Sequence, residues 1–249
     1  YFDWVFRALR GDLGQSLYSS RPITTELTYR LPVSLELGAV ALVVAVLLGM
    51  PIGVISAVRQ DTVQDYVARS SAILGLSIPG FWLGTLVVVL PAIYLGWSPS
   101  IQYKAFAVDP WGHLAQFVIP GFLLGVASAA AVMRLTRTQL LEVLRQDYVR
   151  TAWAKGLRER TIVLKHSLKN ALIPVVTILG IQIAQILSGT VIFESIFGLP
   201  GMGRYLFDSI TERDYPAIQG INLVVVTTVI SVNLLVDLVY AWLDPRIRY

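Results

Sequence analysis

Five long apolar runs constrain this chain more than any other feature. They cover roughly residues 32–58, 67–97, 113–133, 171–193 and 217–243. Each holds about 20 or more mainly apolar residues, the number a helix needs to cross a hydrocarbon core about 30 Å thick. Lipid offers no partner for backbone polar groups, so runs of this kind must be helical. They are continuous rather than alternating, which excludes a β-barrel. The sequence therefore predicts an all-α, polytopic membrane protein with five transmembrane helices. Apolar residues make up 55% of the chain, charged residues 14%, and mean hydropathy is +0.65, as such a protein requires. Pro51, Pro79, Pro91, Pro120 and Pro174 lie in or beside the spans. Each removes a backbone donor and favours a kink.

Charge orients the spans. The stretch Arg134–Pro174 carries nine of the chain's 20 Lys and Arg residues. Summed over alternate loops, 13 cations fall on the side of residues 59–70, 134–170 and 244–249, and seven on the other. The richer side is cytoplasmic by the positive-inside bias. The expected layout is an outer-side segment 1–31, a membrane domain 32–243 and a cytoplasmic tail 244–249. The membrane domain includes a cytoplasmic loop 134–172 and an outer amphipathic segment 194–216. The chain begins Tyr1-Phe2-Asp3 with an outside N-terminus, so one further span is expected before it. The net charge of +4 is accounted for by these loops and does not point to nucleic acid.

Within the basic loop the sequence predicts a short helix over 148–155. Asp147 suits its start, and Lys155 and Gly156 suit its end. Eight residues do not hold a helix alone in water, so something must support it. Tyr148, Thr151, Ala152 and Lys155 share a face, and Thr151, Ala152 and Ala154 are small. Such a helix suits docking in a partner's groove, or lying on anionic lipid.

Polar residues recur inside two spans. Gln182, Gln185 and Ser188 form a stripe in the fourth; Thr227 and Ser231 share a face in the fifth. They either line a hydrophilic passage or bind helices together. Glu36 and Asp237 sit near span ends, where reaching the interface is cheap. The segment Phe197-Gly198-Leu199-Pro200-Gly201-Met202-Gly203-Arg204 reads as a turn entering a short outer helix, either a gate or a plain anchor. His113 and His166 have no second His or carboxylate at metal-ligand spacing, and there is no cysteine. No phosphate-cradling GxxxxGK[ST] motif and no catalytic constellation is present. If ATP drives this chain, another subunit binds it.

Taken together, these motifs resemble the ABC importer permeases, most closely the dipeptide, oligopeptide and nickel branch. The resemblance rests on Asp147-Tyr148-Val149-Arg150-Thr151-Ala152-Trp153-Ala154-Lys155-Gly156 and on His166 through Val175. It rests also on Gly198–Arg204, Arg213-Asp214-Tyr215-Pro216, Asp244–Arg248, Gly11–Ser16 and Leu35-Glu36-Leu37-Gly38. It covers essentially the whole chain. Arg150-Thr151-Ala152 departs from the general importer loop in the manner of the peptide branch.

The resemblance implies a type I importer permease fold with a sixth span. It implies ATPase coupling through Asp147, Tyr148, Arg150, Thr151, Ala152, Ala154, Lys155 and Gly156. It also implies that this chain contributes half of a passage; Gln182, Gln185, Ser188, Thr227 and Ser231 are the residues expected to line it if the stripes do not only pack helices. An outer gate or binding-protein contact is expected at Phe197, Pro200, Gly201, Met202, Gly203 and Arg204. The expected partners are a second homologous permease, two ATPases that bind ATP and Mg, an extracytoplasmic solute-binding protein, the bilayer and a peptide. No cofactor or metal is expected in this chain. A nickel-chelate or glutathione importer and, more distantly, an ion-driven transporter are the alternatives.

Overall fold

The computed structural model describes residues 2–100 and 102–243; side chains at 184, 185, 187–189, 236, 237 and 239–243 lie outside the description. Helices dominate: α1 (Phe2–Leu9), α2 (Ile23–Val58), α3 (Val63–Ser77), α4 (Gly80–Leu95), α5 (Pro110–Leu144), α6 (Asp147–Ala154), α7 (Glu159–Thr161), a π-helical turn (Ile162–Ser167), α8 (Leu168–Phe197), α9 (Met202–Glu212) and α10 (Tyr215–Leu243). No strand occurs among the described residues, only an isolated bridge between Gln15 and Pro22.

Four stretches are long and apolar enough to cross a membrane: Ile23–Val58, Pro110–Leu144, Glu159–Ile183 and Tyr215–Leu235. Val63–Ser77 and Gly80–Leu95 supply a fifth if they form one broken span. The break falls at Pro79. Ile78 before it is extended (φ −93°, ψ 121°), because proline's ring disfavours helical geometry in the preceding residue.

Two helices exceed the spans read from hydropathy. α2 starts at Ile23 rather than near Pro32. Its polar first turns are helical in their own right, with Glu26 pairing Arg30 at 3.0 Å one turn on. α5 continues beyond Met133 to Leu144, so the first quarter of the expected basic loop is helix. At 35 residues it is roughly 52 Å long, well beyond a hydrocarbon core of ~30 Å. The extension is held because Thr136, Leu140 and Val143, at helical spacing, are buried.

Packing divides the chain into two compact units. One comprises the chain up to Val40 with Gly80–Leu124 and Gln185–Ser231; the other comprises Ala41–Pro79, Gly125–Ala184 and the chain from Val232.

In the first unit, Leu13, Ile23, Leu27, Met202, Tyr205, Ala217 and Ile221 form the core. Asp214 ties one end of it. Its carboxylate accepts from the Ser16 hydroxyl, from the Leu17 amide (3.2 Å) and from the Ala217 amide (3.4 Å) at the start of α10. Two stretches that carried the family resemblance, 198 residues apart, therefore meet here. Burial raises the Asp214 carboxyl, but hydrogen bonds from Ser16 and the amides of Leu17, Ala217 and Tyr18 outweigh it and hold the group below its ordinary 3.8.

The same unit pairs two residues expected to stand apart. His113 is buried, with Nε2 2.6 Å from Glu36 Oε1 and Nδ1 2.7 Å from the Lys104 carbonyl. Tyr103, Phe106 and Phe117 surround its ring. Glu36 thus reaches for a buried imidazole rather than only for the interface. Spacing gave no hint of it, since 77 residues separate the two.

In the second unit α2 and α5 cross closely. A Cβ on Gly49 would lie 2.5 Å from the Ala129 carbonyl oxygen, and one on Gly53 would lie 2.7 Å from that of Met133. Gly125 makes the reciprocal approach to the Ala41 carbonyl at 2.5 Å. Glycines one turn apart admit a neighbouring backbone, so these are packing residues rather than kink points.

Candidate functional site

The helix expected over 148–155 is α6, one residue earlier at each end. Gln146 rather than Asp147 occupies the N-cap position, and Asp147 opens the first turn. At the other end Leu157 N donates to Ala152 O (3.3 Å) and Gly156 N to Trp153 O (2.9 Å). This paired pattern needs a left-handed residue, which Gly156 supplies at φ +74°.

What holds so short a helix is its inner face. Val149 and Ala152 are buried against Ile162, with Leu144 beside them. Full burial of Val149 alone is worth roughly 1.5–2 kcal/mol. Tyr148 adds a polar tie: its hydroxyl accepts from Asn170 Nδ2 (2.9 Å) and donates to the His166 carbonyl (3.3 Å).

Ala152 therefore faces its own chain and cannot be part of an outward docking face; the four-residue face read from spacing is corrected by the position of Ile162. The exposed face carries Asp147, Arg150, Thr151, Trp153, Ala154 and Lys155, with Tyr148 at its edge. Trp153 leaves 48% of its surface uncovered on an eight-residue helix. The Arg150–Asp147 pair at 3.5 Å is fully on the surface and contributes little.

The segment expected on the outer side is built as a turn entering a helix, α9, as the sequence predicts. Its glycines are there for space. A Cβ on Gly201 would overlap the Glu194 carboxylate, and one on Gly203 would overlap Val191. Gly201 occupies the N-cap of α9 but has no side chain to cap with. Glu194, at the end of α8, does that work: its Oε2 accepts from the Arg204 amide (3.0 Å) and its Oε1 from the Ser34 hydroxyl (2.6 Å). Ser34 in turn accepts from the Met202 amide at 2.8 Å. A carboxylate at a helix N-terminus also meets the positive end of the helix dipole.

Glu194 and Ser34 were missed in the sequence because their partners are distant or backbone. Phe197, Gly201, Met202 and Gly203 are buried, and only Pro200 and Arg204 are partly exposed. Four of the six residues expected at a gate or contact are thus packed into the root of α9, while Pro200 and Arg204 keep exposed surface. Phe207 and Ile210 are the exposed apolar side chains of that helix.

The expected passage residues divide. Gln182 is buried. Thr227 and Ser231 are exposed on α10, each hydroxyl donating to a carbonyl one turn earlier in its own helix. The side chains of Gln185, Ser188 and Asp237 and the tail 244–249 lie outside the described residues. No group of three or more metal-ligating side chains occurs among the described residues.

The described residues, mainly helical and with several stretches of membrane length, have the build of an integral membrane protein. The chain belongs to the family described as the binding-protein-dependent transport system inner membrane component, which matches residues 49–249. It is 42% identical to the glutathione transport system permease protein GsiC of Pectobacterium atrosepticum, over all of this chain and 79% of that one. It is 37% identical to the dipeptide transport system permease protein DppB of Escherichia coli K12, over all of this chain and 80% of that one. Among solved structures it shares the fold of the inward-facing MetNI methionine ABC transporter, with a TM-score of 0.74 at 17% identity over 90% of this chain and 99% of that one. The importer-permease resemblance read from the motifs is thus upheld, and an ion-driven carrier has no support.

Proposed function

We propose that this chain is one membrane-spanning subunit of an ATP-driven importer of short peptides, working by alternating access. The observation that carries the reading is α6: anchored on one face by Val149 and Ala152, and presenting Trp153, Arg150 and Lys155 on the other. A helix so built transmits force without bending. A separate ATPase docks on it, binds ATP and Mg, and supplies the hydrolysis. The basic side, with α6 and the C-terminus, is cytoplasmic. A second homologous permease completes the passage, and Thr227 and Ser231, uncovered in this chain, turn toward it. An extracytoplasmic solute-binding protein delivers substrate near α9.

Peptide is favoured as substrate because the relatives named above handle a dipeptide and glutathione, itself a small peptide. Glutathione is the second reading, supported by the 42% identity to a glutathione permease.

The test is purification of the tagged protein from native membranes, followed by reconstitution in liposomes. Recovery of a second permease and P-loop ATPases, with ATP-dependent uptake of a labelled dipeptide or glutathione, is expected. Transport by this chain alone without ATP would overturn the reading.

A further inference from the structure

The second unit contains a buried charge cluster that none of the expected site residues explains. Asp65, in the first turn of α3, has no exposed surface. Arg137 on α5 grips it with two bonds, Nε to Oδ1 and Nη2 to Oδ2, both 2.9 Å. Ser56 on α2 donates to Oδ1 at 2.5 Å, and the Asp61 amide in the α2–α3 turn donates to Oδ2 at 3.1 Å. Arg69, one turn along α3, stands 3.4 Å from Oδ1 with its guanidinium over the Tyr66 ring. One carboxylate therefore joins the ends of α2 and α3 and the turn between them to a single point on α5.

That point lies on the extension leading to α6. Leu140 and Val143, one and two turns further on, pack with Ala57 of α2, Val163 of the π turn and Ala171 of α8. Leu144 then touches the core of α6. A load applied to α6 thus reaches α5 at its C-terminal end. Apolar contacts are non-directional and let helices slide past one another. A forked guanidinium–carboxylate bond fixes direction and register. Among the described residues, the directional link between α5 and the α2–α3 end is the pair of bonds from Arg137 to Asp65.

We propose that Asp65 and Arg137 are positioning residues for transport: the pair converts movement of α6 and the α5 extension into movement of the α2 and α3 ends. This rests on α6 being the ATPase-docking helix. Neither residue lies on the exposed face of α6, so the pair acts on transmission and not on docking.

The experiment uses the whole importer in proteoliposomes, with labelled dialanine and labelled glutathione as probes. Asp65→Asn and Arg137→Lys are compared with the unaltered complex for ATPase recovery, ATP hydrolysis and substrate taken up per ATP. The expected result is full ATPase recovery, retained hydrolysis, and uptake per ATP reduced at least tenfold for Asp65→Asn and less for Arg137→Lys, with unchanged KM for the probe. Asp65→Glu, which keeps the charge, should restore part of the yield. Unchanged uptake per ATP in assembled complexes overturns the proposal. So does failure of both variants to assemble, which makes the pair part of the frame alone. Trp153→Glu on α6 is run in parallel: if it neither releases the ATPase nor lowers coupling, the docking reading fails, whatever the pair does.

Discussion

Removing the Glu194 carboxylate should free the start of α9 without disturbing α6. In Glu194→Ala two donors lose their acceptor: the Arg204 amide at 3.0 Å and the Ser34 hydroxyl at 2.6 Å. Ser34 is buried and itself caps the Met202 amide, but the acceptor for the Arg204 amide is Glu194, because Gly201 offers none. Each orphaned buried donor costs about 1–3 kcal/mol, and losing a cap costs about 1 kcal/mol by itself. A combined loss of about 3 kcal/mol raises local opening on the order of 100-fold, at 1.4 kcal/mol per factor of ten. Amide hydrogen exchange in nanodiscs reads this directly. Protection of Arg204 and Tyr205 should fall by about two decades, while that of Val149 and Ala152 stays put. Glu194→Gln, which keeps one carbonyl acceptor, should fall between. Unaltered protection at Arg204 in Glu194→Ala would refute the assignment of Glu194 as the cap.

Two further outcomes are expected. Gly53→Val should destabilise by about 1–3 kcal/mol through overpacking against the Met133 carbonyl and Thr136, read as a lower Tm in detergent, whereas Ala39→Val on the exposed side of α2 should not. Because the folded Asp214 carboxyl titrates below its ordinary 3.8, its contribution is complete above that pH and lost as pH falls through the folded value; exchange at Leu17 and Ala217 should therefore rise only below about pH 4, and Asp214→Asn should remove that dependence.

Much of this was legible in the sequence, for local reasons. The spans follow from hydropathy. α6 is framed by Asp147 and Gly156, and α9 by the glycine-rich turn before it. What escaped has a common cause. The α5 extension looked like loop because its charges mask Leu140 and Val143, whose burial depends on Ala57 and Ala171 arriving from elsewhere. The inward turn of Ala152 depends on Ile162, and Gly201 reads as flexibility until Glu194 is seen against it. The bonds Ser16–Asp214, Ser34–Glu194, Glu36–His113 and Asp65–Arg137 span 72 to 198 residues and leave no spacing to find. In these four pairs a buried polar side chain is matched by a residue far along the chain, not by a near neighbour.

The π turn at Ile162–Ser167 has a different kind of consequence. Such a turn holds one residue more than an α-helical one. It lies between α6 and the long run of α8, so it sets the angular phase between them. Taking one residue out there would let an ordinary α-helix close, turning everything before it by roughly 100° and drawing it in by ~1.5 Å relative to α8. The Tyr148–Asn170 bond would then have nothing to meet. The same deletion a few residues earlier, at 156–158, would act differently: it would remove part of the α6 stop made by Gly156 and Leu157 or the start of α7 at Arg158. Chain length in this part of the molecule is therefore constrained twice, by angular phase at the π turn and by helix caps just before it.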